Sequence, residues 1–343
     1  MDIFEKSLVN ERFSGLIAVV LLAGVPVAGQ IPPSAVNPKT TPKTWTLQHT
    51  PDGQPDLEGY WSNVTITPLE RPAELAGKEF FTEQELAERE KRAQKPRTAE
   101  QIAGTIAHYD FAQYGLDITQ TKHALNLRTS LVIDPPDGKI PPLTPEAKKR
   151  AAERAEARKK MGPYDGPESR ALGERCIYNA TEGPPMLPPA YNANLQIQQG
   201  PGYVAILQEE IHDVRIIPLD GHPHLGPNIR QYLGDSRGHW EGNTLVVDTT
   251  NFNDRTNFRG SSENLHVIER FTRVDADTIL YEFTVDDPTT WTRPWKAELP
   301  MSKIQGPIYE YACHEGNFDM VNNLTSARAQ EKAAEEAAKK NAK

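Results

Sequence analysis

Cysteine is scarce in this chain. Only Cys176 and Cys313 occur in 343 residues, and neither belongs to a Cys-x-x-Cys pair. Structural zinc sites take about four ligands, so a zinc ribbon or finger is excluded. In an exported protein an even pair reads first as a disulfide, Cys176–Cys313, clipping the middle of the chain to its end. Basic residues are also short: 38 Lys and Arg against 47 Asp and Glu give a net charge of −9, which excludes binding to a nucleic-acid backbone. The one basic run, Lys148 to Lys160, is interleaved with Glu153 and Glu156 and reads as a solvated helix face. Hydrophobic residues reach only 37% while prolines number 29, so a modest core is surrounded by extended polar connections. No stretch spells a phosphate-binding glycine loop, a metalloprotease helix or a nucleophile elbow. Ser261-Ser262, upstream of His266, lacks the strained turn and oxyanion loop of a serine nucleophile and reads as a polar loop.

Long apolar runs are missing too, apart from Phe13 to Ala28. That run is too short to span a bilayer and long enough for the core of a signal peptide, with Val27 and Gly29 offering a cleavage site. The reading is a signal peptide over 1–29, a Pro-rich arm over 30–44, a periplasmic or secreted location and no membrane span in the mature chain. Asp2, Glu5 and Glu11 against Lys6 and Arg12 deny the run its usual positive flank, so retention as an anchor is the alternative.

What is present is a β-rich third. Between Tyr203 and Cys313, apolar-alternating segments are separated by tight turns such as Glu241-Gly242-Asn243 and Asp275-Ala276-Asp277. Eight strands are expected, near 203–209, 212–218, 230–233, 244–250, 267–274, 279–285, 291–299 and 308–313. Short links favour an up-and-down antiparallel meander, and eight strands suffice for a closed, lipocalin-like or calycin-like barrel that holds one small ligand. The fold class is therefore mainly β, with long N-terminal helical and extended arms. The β domain is placed at 201–320, a wrapping helical and extended segment at 45–200, and a charged helical or disordered tail at 321–343.

In the wrapping segment, Pro51-Asp52-Gly53 reads as a turn and Gly59-Tyr60-Trp61 as the start of a short strand lying across the β domain. Thr82 and Glu85 form a capping box that opens a helix to about Lys95, and a weaker helix is expected over 100–114. Leu127 to Ile133 reads as a strand, stopped by Asp134-Pro135-Pro136-Asp137-Gly138. Thr144-Pro145 starts a helix that ends before Gly162. Gly183 to Pro189, with its two Pro-Pro pairs, is expected to be extended, polyproline-like and packed.

Six of the nine histidines fall in the β-rich third: His212, His222, His224, His239, His266 and His314. His266 with Asp248, Glu269 and Arg270 is the best acid–base group, because imidazole titrates near neutrality and a carboxylate can orient it. His239 beside Trp240 pairs a titratable ring with an apolar platform and suits a ligand pocket. The candidate catalytic residues are thus His239, His266, Asp248 and Glu269. The candidate ligand contacts are Arg215, His224, Trp240, Arg270, Trp291 and Trp295. His222-Pro223-His224 is a His-x-His pair in a rigid loop; proline between the imidazoles favours loop geometry over metal ligation, so no cofactor is assigned.

The stretches Thr50 to Trp61 (TPDGQPDLEGYW), Gly238 to Thr249 (GHWEGNTLVVDT) and Tyr309 to Asn317 (YEYACHEGN) resemble a large family of exported bacterial proteins with no assigned activity. The resemblance spans residues 45 to 320. This chain departs from that family's pattern at His222, where Arg is usual, and at Asn243, where Asp is usual. The resemblance implies export and a single domain, and it implies no mechanism. The leading functional expectation is an exported β protein that binds a small organic molecule, with acid–base or hydrolytic activity as an extension. A noncatalytic envelope protein that engages other proteins is the alternative, and a metal-dependent enzyme the third.

Overall fold

The computed structural model describes residues 45–93, 124–189, 192–256 and 258–341. The signal-peptide and Pro-rich-arm readings and the helix expected over 100–114 lie outside these residues. The described residues contain ten strands in one antiparallel sheet. They are β1 (Gly59–Ser62), β2 (Val132–Asp134), β3 (Asn194–Gly200), β4 (Tyr203–Gln208), β5 (Val214–Pro218), β6 (Asp235–Glu241), β7 (Thr244–Thr250), β8 (His266–Arg273), β9 (Thr278–Asp286) and β10 (Trp295–Lys303).

The sheet order is β5-β4-β3-β1-β10-β9-β8-β7-β6, and the sheet curls until it is nearly a closed barrel. Two meanders, β3–β5 and β6–β10, are joined by β1, which pairs with β3 along Gly59↔Ile197 to Ser62↔Asn194 and with β10 at Trp61↔Lys303 and Ser62↔Ser302. A purely sequential meander was expected; a strand from the N-terminal segment is inserted at its centre instead. β2 takes the remaining part of the same β10 edge. Four strand expectations need correction, the first being Leu127 to Ile133, of which only the end is strand, as β2 (Val132–Asp134). Residues 230–233 supply only an isolated bridge, Gln231↔Phe252. The strand expected from Trp291 begins at Trp295, because Thr290 and Trp291 both turn back onto the Asp287 carbonyl or its side chain. Residues 308–313 form no strand.

Alternation fixes the inside of the barrel. Leu195 and Ile197, Val204 and Ile206, Leu245 and Val247, Val267 and Phe271, Ile279, Tyr281, Phe283 and Val285, and Trp295, Ala297, Leu299 and Met301 are all buried in one core cluster. These side chains fill the interior. Trp291 packs edge-on to Trp295 at 5.9 Å between ring centroids, and Phe258 stacks on Trp295 at 6.3 Å.

The seam between β5 and β6 is closed by side chains, since these strands pack together without a backbone ladder. Gly238 makes the approach possible. A Cβ built there would lie 2.7 Å from Leu219 Cδ2 and 2.8 Å from Ile217 Cγ2, so the absent side chain is what those two residues occupy.

The arms cover the ends. Pro51-Asp52-Gly53 forms the expected turn, with Gly53 at φ 79° and its N–H donated to the Thr50 carbonyl. The chain that follows is held by Gln199, whose Oε1 accepts from Leu57 N at 2.6 Å and whose Nε2 donates to the Pro55 carbonyl at 3.1 Å. At the other end, Met186 and Leu187 join the core, and Gln208 Nε2 donates to the Glu182 carbonyl at 2.9 Å. The 183–189 segment is packed as expected, although the Gly183–Pro184 and Pro184–Pro185 peptides are cis, so it departs from a polyproline helix.

Helix α1 (Glu83–Ala93) carries its capping box, with Thr82 N donating to Glu85 Oε2 at 2.8 Å and Glu85 N to Thr82 Oγ1 at 3.3 Å. Helix α2 (Pro145–Lys159) is capped by Thr144 Oγ1, which accepts from Ala147 N at 3.0 Å. A short helix α3 (Cys313–Gly316) precedes α4 (Phe318–Asn341), which has no buried residue. Cys176 and Cys313 are disulfide-bonded across a sequence separation of 137. No helix among the described residues is long and apolar enough to cross a membrane.

Candidate functional site

The candidate residues separate into three places, because adjacent residues of a strand face opposite sides of the sheet. His266 and Glu269, three apart on β8, were expected to act together. They lie on opposite faces. Glu269 points inward and is fully buried against the Arg215 guanidinium, with Nη1 to Oε1 at 3.0 Å and Nη2 to Oε2 at 2.5 Å. Tyr281 donates its hydroxyl to Glu269 Oε1 at 2.7 Å and accepts from Met186 N at 2.8 Å, and Arg215 Nη2 reaches Ser236 Oγ at 3.3 Å. Burial pushes the Tyr281 hydroxyl well up, and the Glu269 charge adds to it. Burial opposes the Arg215 charge, but the Glu269 carboxylate more than offsets it. Sealed in the barrel, this group holds β5, β8 and β9 together and offers no surface to a ligand. Trp291 and Trp295 are likewise core residues, not ligand contacts.

The outer face of β6–β8 brings together residues from four segments. His266 Nε2 lies 3.0 Å from both oxygens of Asp248, on the neighbouring strand β7. His224, from the β5–β6 connection, places Nε2 3.0 Å from Asp248 Oδ1 and Nδ1 2.9 Å from Asp235 Oδ2. Asp235 is fixed in turn by Leu225 N at 3.0 Å and by Arg237. The result is an alternating chain, His266–Asp248–His224–Asp235. Burial alone would raise Asp248, but hydrogen bonds and charge from His266 and His224 hold it below the usual carboxylate range. The bond to Asp248 raises His266 against the opposing effect of burial. His222 does not join this chain: it turns back onto Asp220, with Nδ1 2.9 Å from Oδ2, so the two imidazoles of His-Pro-His point to separate partners. Among the described residues no group of three or more His, Cys, Asp and Glu is arranged to hold a metal.

These directions set a pH dependence. The raised His266 contributes stability that is complete below its unfolded pKa and is lost as pH rises through its folded value. The lowered Asp248 contributes stability that is complete above its unfolded pKa and is lost as pH falls through its folded value. Their bond is at full strength between about pH 4 and about pH 6.5. Urea midpoints of the parent and His266→Gln should therefore differ most in that window and converge above it. A difference that stays constant up to alkaline pH would mean that the His266 charge plays no part.

The third place is one end of the barrel, where the β3–β4 hairpin, the end of β5 and the end of β6 meet the 50–54 turn. Here a cavity of about 230 Å³ is lined by Thr50, Asp52, Gln54, Gln199, Tyr203, Leu219, His239 and Trp240, with Gly200 and Gly202 in the hairpin. His239 and Trp240 thus share a pocket as the sequence suggested, and His266 is not part of it. His239 Nε2 lies 3.2 Å from Glu241 Oε1, and Arg270 donates to the other oxygen of Glu241 at 2.9 Å. A larger and more open groove of about 680 Å³ lies along α1, between Leu75, Phe81 and Arg89. Two of its cationic side chains are already engaged: Lys78 pairs with Glu85, and Arg89 donates to the Ile66 carbonyl at 2.9 Å. The barrel end is the better enclosed of the two.

Sequence reading missed Asp235 and Glu182. The alternation Asp235, Arg237, His239, Glu241 places the first on the outer face, but joining it to His224 required the path of the β5–β6 connection. Nothing in the run Thr181-Glu182-Gly183 marks Glu182 as buried. Its carboxyl is pushed up to about 9, by burial first and then by Asp213 and Glu210 nearby. No family model, curated protein or solved structure matches the chain.

Proposed function

We propose that this chain is an exported β-barrel protein that binds a small organic molecule at the barrel end lined by Trp240 and Tyr203. The observation that carries the reading is the contrast between a filled interior and a cavity at one end, walled by aromatic and aliphatic carbon and edged by polar groups. Such a combination is what small-molecule sites use, apolar walls for affinity and a few polar groups for orientation. Export is supported by the apolar run at 13–28 and by the Cys176–Cys313 bridge, since disulfides persist in oxidising compartments.

The test is a fluorescence or thermal-shift screen of neutral, cationic and anionic compounds, repeated on Trp240→Ala. Removing the ring should weaken binding of a hit by about 1–3 kcal/mol through lost apolar contact. Hits that bind Trp240→Ala as tightly as the parent would move the site elsewhere.

A second reading, acid–base activity on the outer face, is favoured by the His266–Asp248 pair. Asp248 orients the ring through Nε2, which leaves Nδ1 for proton exchange. His266→Gln separates the two readings: it abolishes any turnover and leaves binding at the barrel end unchanged.

A further inference from the structure

We infer that the molecule taken at the barrel end is an uncharged, polyhydroxylated ring, a single sugar unit, and this rests on the binding reading above. The lining residues argue it by their charges first. Neither Lys nor Arg is among them, and the one imidazole, His239, is engaged with Glu241. A phosphate or carboxylate ligand would find no cation in the lining to pair with, which disfavours anions.

The walls exclude a simple organic cation by a different route. Aromatic cages for ammonium groups work by desolvating the charge among ring faces. Here two rings are present, and the only lining carboxylate, Asp52, stands on an exposed turn where water and salt screen it.

What remains matches the two-sided chemistry of a sugar, with C–H groups on its ring faces and hydroxyls around its edge. Trp240 is partly buried against the core, and its Nε1 is enclosed without a partner, so the ring meets the cavity with carbon. Tyr203 is folded over Gly200: a Cβ at Gly200 would fall 2.5 Å from the Tyr203 ring, so one face rests on the hairpin while the residue stays 43% exposed. Leu219 completes the apolar wall. Around it stand the Asp52 carboxylate and the Gln54 amide, groups that accept from and donate to neighbouring hydroxyls. Gln199 is less free, since its amide already holds Leu57 and Pro55. About 230 Å³ is room for one ring and not for a chain of them.

The experiment is isothermal titration of the disulfide-intact chain with a panel of methyl hexosides and methyl pentosides, and with tetramethylammonium, benzoate and glucose 6-phosphate as charged or aromatic competitors. A methyl glycoside is expected to bind, with affinity indifferent to added salt, at least about tenfold weaker in Trp240→Ala and several-fold weaker in Asp52→Asn. If no glycoside binds up to about 50 mM, far beyond millimolar affinity, the sugar assignment is overturned. Binding of a charged competitor that Trp240→Ala abolishes would overturn the ligand class and leave the barrel-end site standing. Glycoside binding that is unchanged in both variants would overturn the site itself.

Discussion

Replacing Glu269 by Ala should cost about 3–5 kcal/mol of stability, the largest single-residue effect expected in this protein. The variant would leave the Arg215 guanidinium in the barrel interior without its counter-charge. With side-chain exposures of 2% and 0%, neither partner can turn to water. Tyr281 would lose its acceptor at the same time, and Arg215 Nε is already without a partner in the parent. The double variant Arg215→Met/Glu269→Leu should recover most of the loss or exceed the parent, because it removes both desolvation penalties and keeps the volume. Urea unfolding of the parent, the single variant and the double variant checks this. A single variant within about 1 kcal/mol of the parent would mean that water reaches the pair.

The second large effect belongs to the Cys176–Cys313 bridge. Between β10 and α4 the chain is mostly exposed, and its hydrogen bonds to the rest of the fold are scattered, among them Ile304 N to the Tyr60 carbonyl at 3.0 Å, Tyr309 N to Glu209 Oε1 at 3.3 Å, His212 Nδ1 to the Tyr311 carbonyl at 3.1 Å, and Asn317 Nδ2 to the Glu174 carbonyl at 2.8 Å. The covalent link is therefore its main anchor. Closing a loop of this length contributes up to about 4–5 kcal/mol by restricting the unfolded chain, and removal of such bridges typically costs about 2–5 kcal/mol. Cys176→Ser/Cys313→Ser should show that loss in urea, together with faster proteolysis within 305–317. Equal midpoints and equal cleavage would show that the segment is held without the bridge.

Period-two alternation made much of this architecture legible in the sequence. Burial alternates cleanly along β8 and β9, because each has one face in a packed interior and one outside. The helix starts were legible for a local reason, since Thr82, Glu85, Thr144 and Pro145 satisfy their own backbone groups within a few residues. The insertion of β1 was hidden. The short strand beginning at Gly59-Tyr60-Trp61 was legible, but its place between β3 and β10 was not, because its partners lie far along the chain. The site was legible in part for the same reasons. His239 and Trp240 are neighbours at a turn, so proximity was given. Asp248 and His266 needed the β7–β8 register, in which Thr249 pairs with Val267, and His224 needed the route of a loop. Grouping Glu269 with His266 overlooked parity, which puts residues three apart on opposite faces of a strand.

The placement of β1 also bears on how the molecule is made. This strand leaves the ribosome ahead of every other strand in the sheet, yet one of its two neighbours, β10, is the last to be synthesised. The two meanders can each zip up hairpin by hairpin from local contacts, whereas joining them must wait for the whole chain and for closure of its longest loops. Until then two ladders lie open, on β3 and on β10, each able to accept a foreign strand. Under the export proposed above, late joining would keep the barrel from closing before the chain has crossed the membrane.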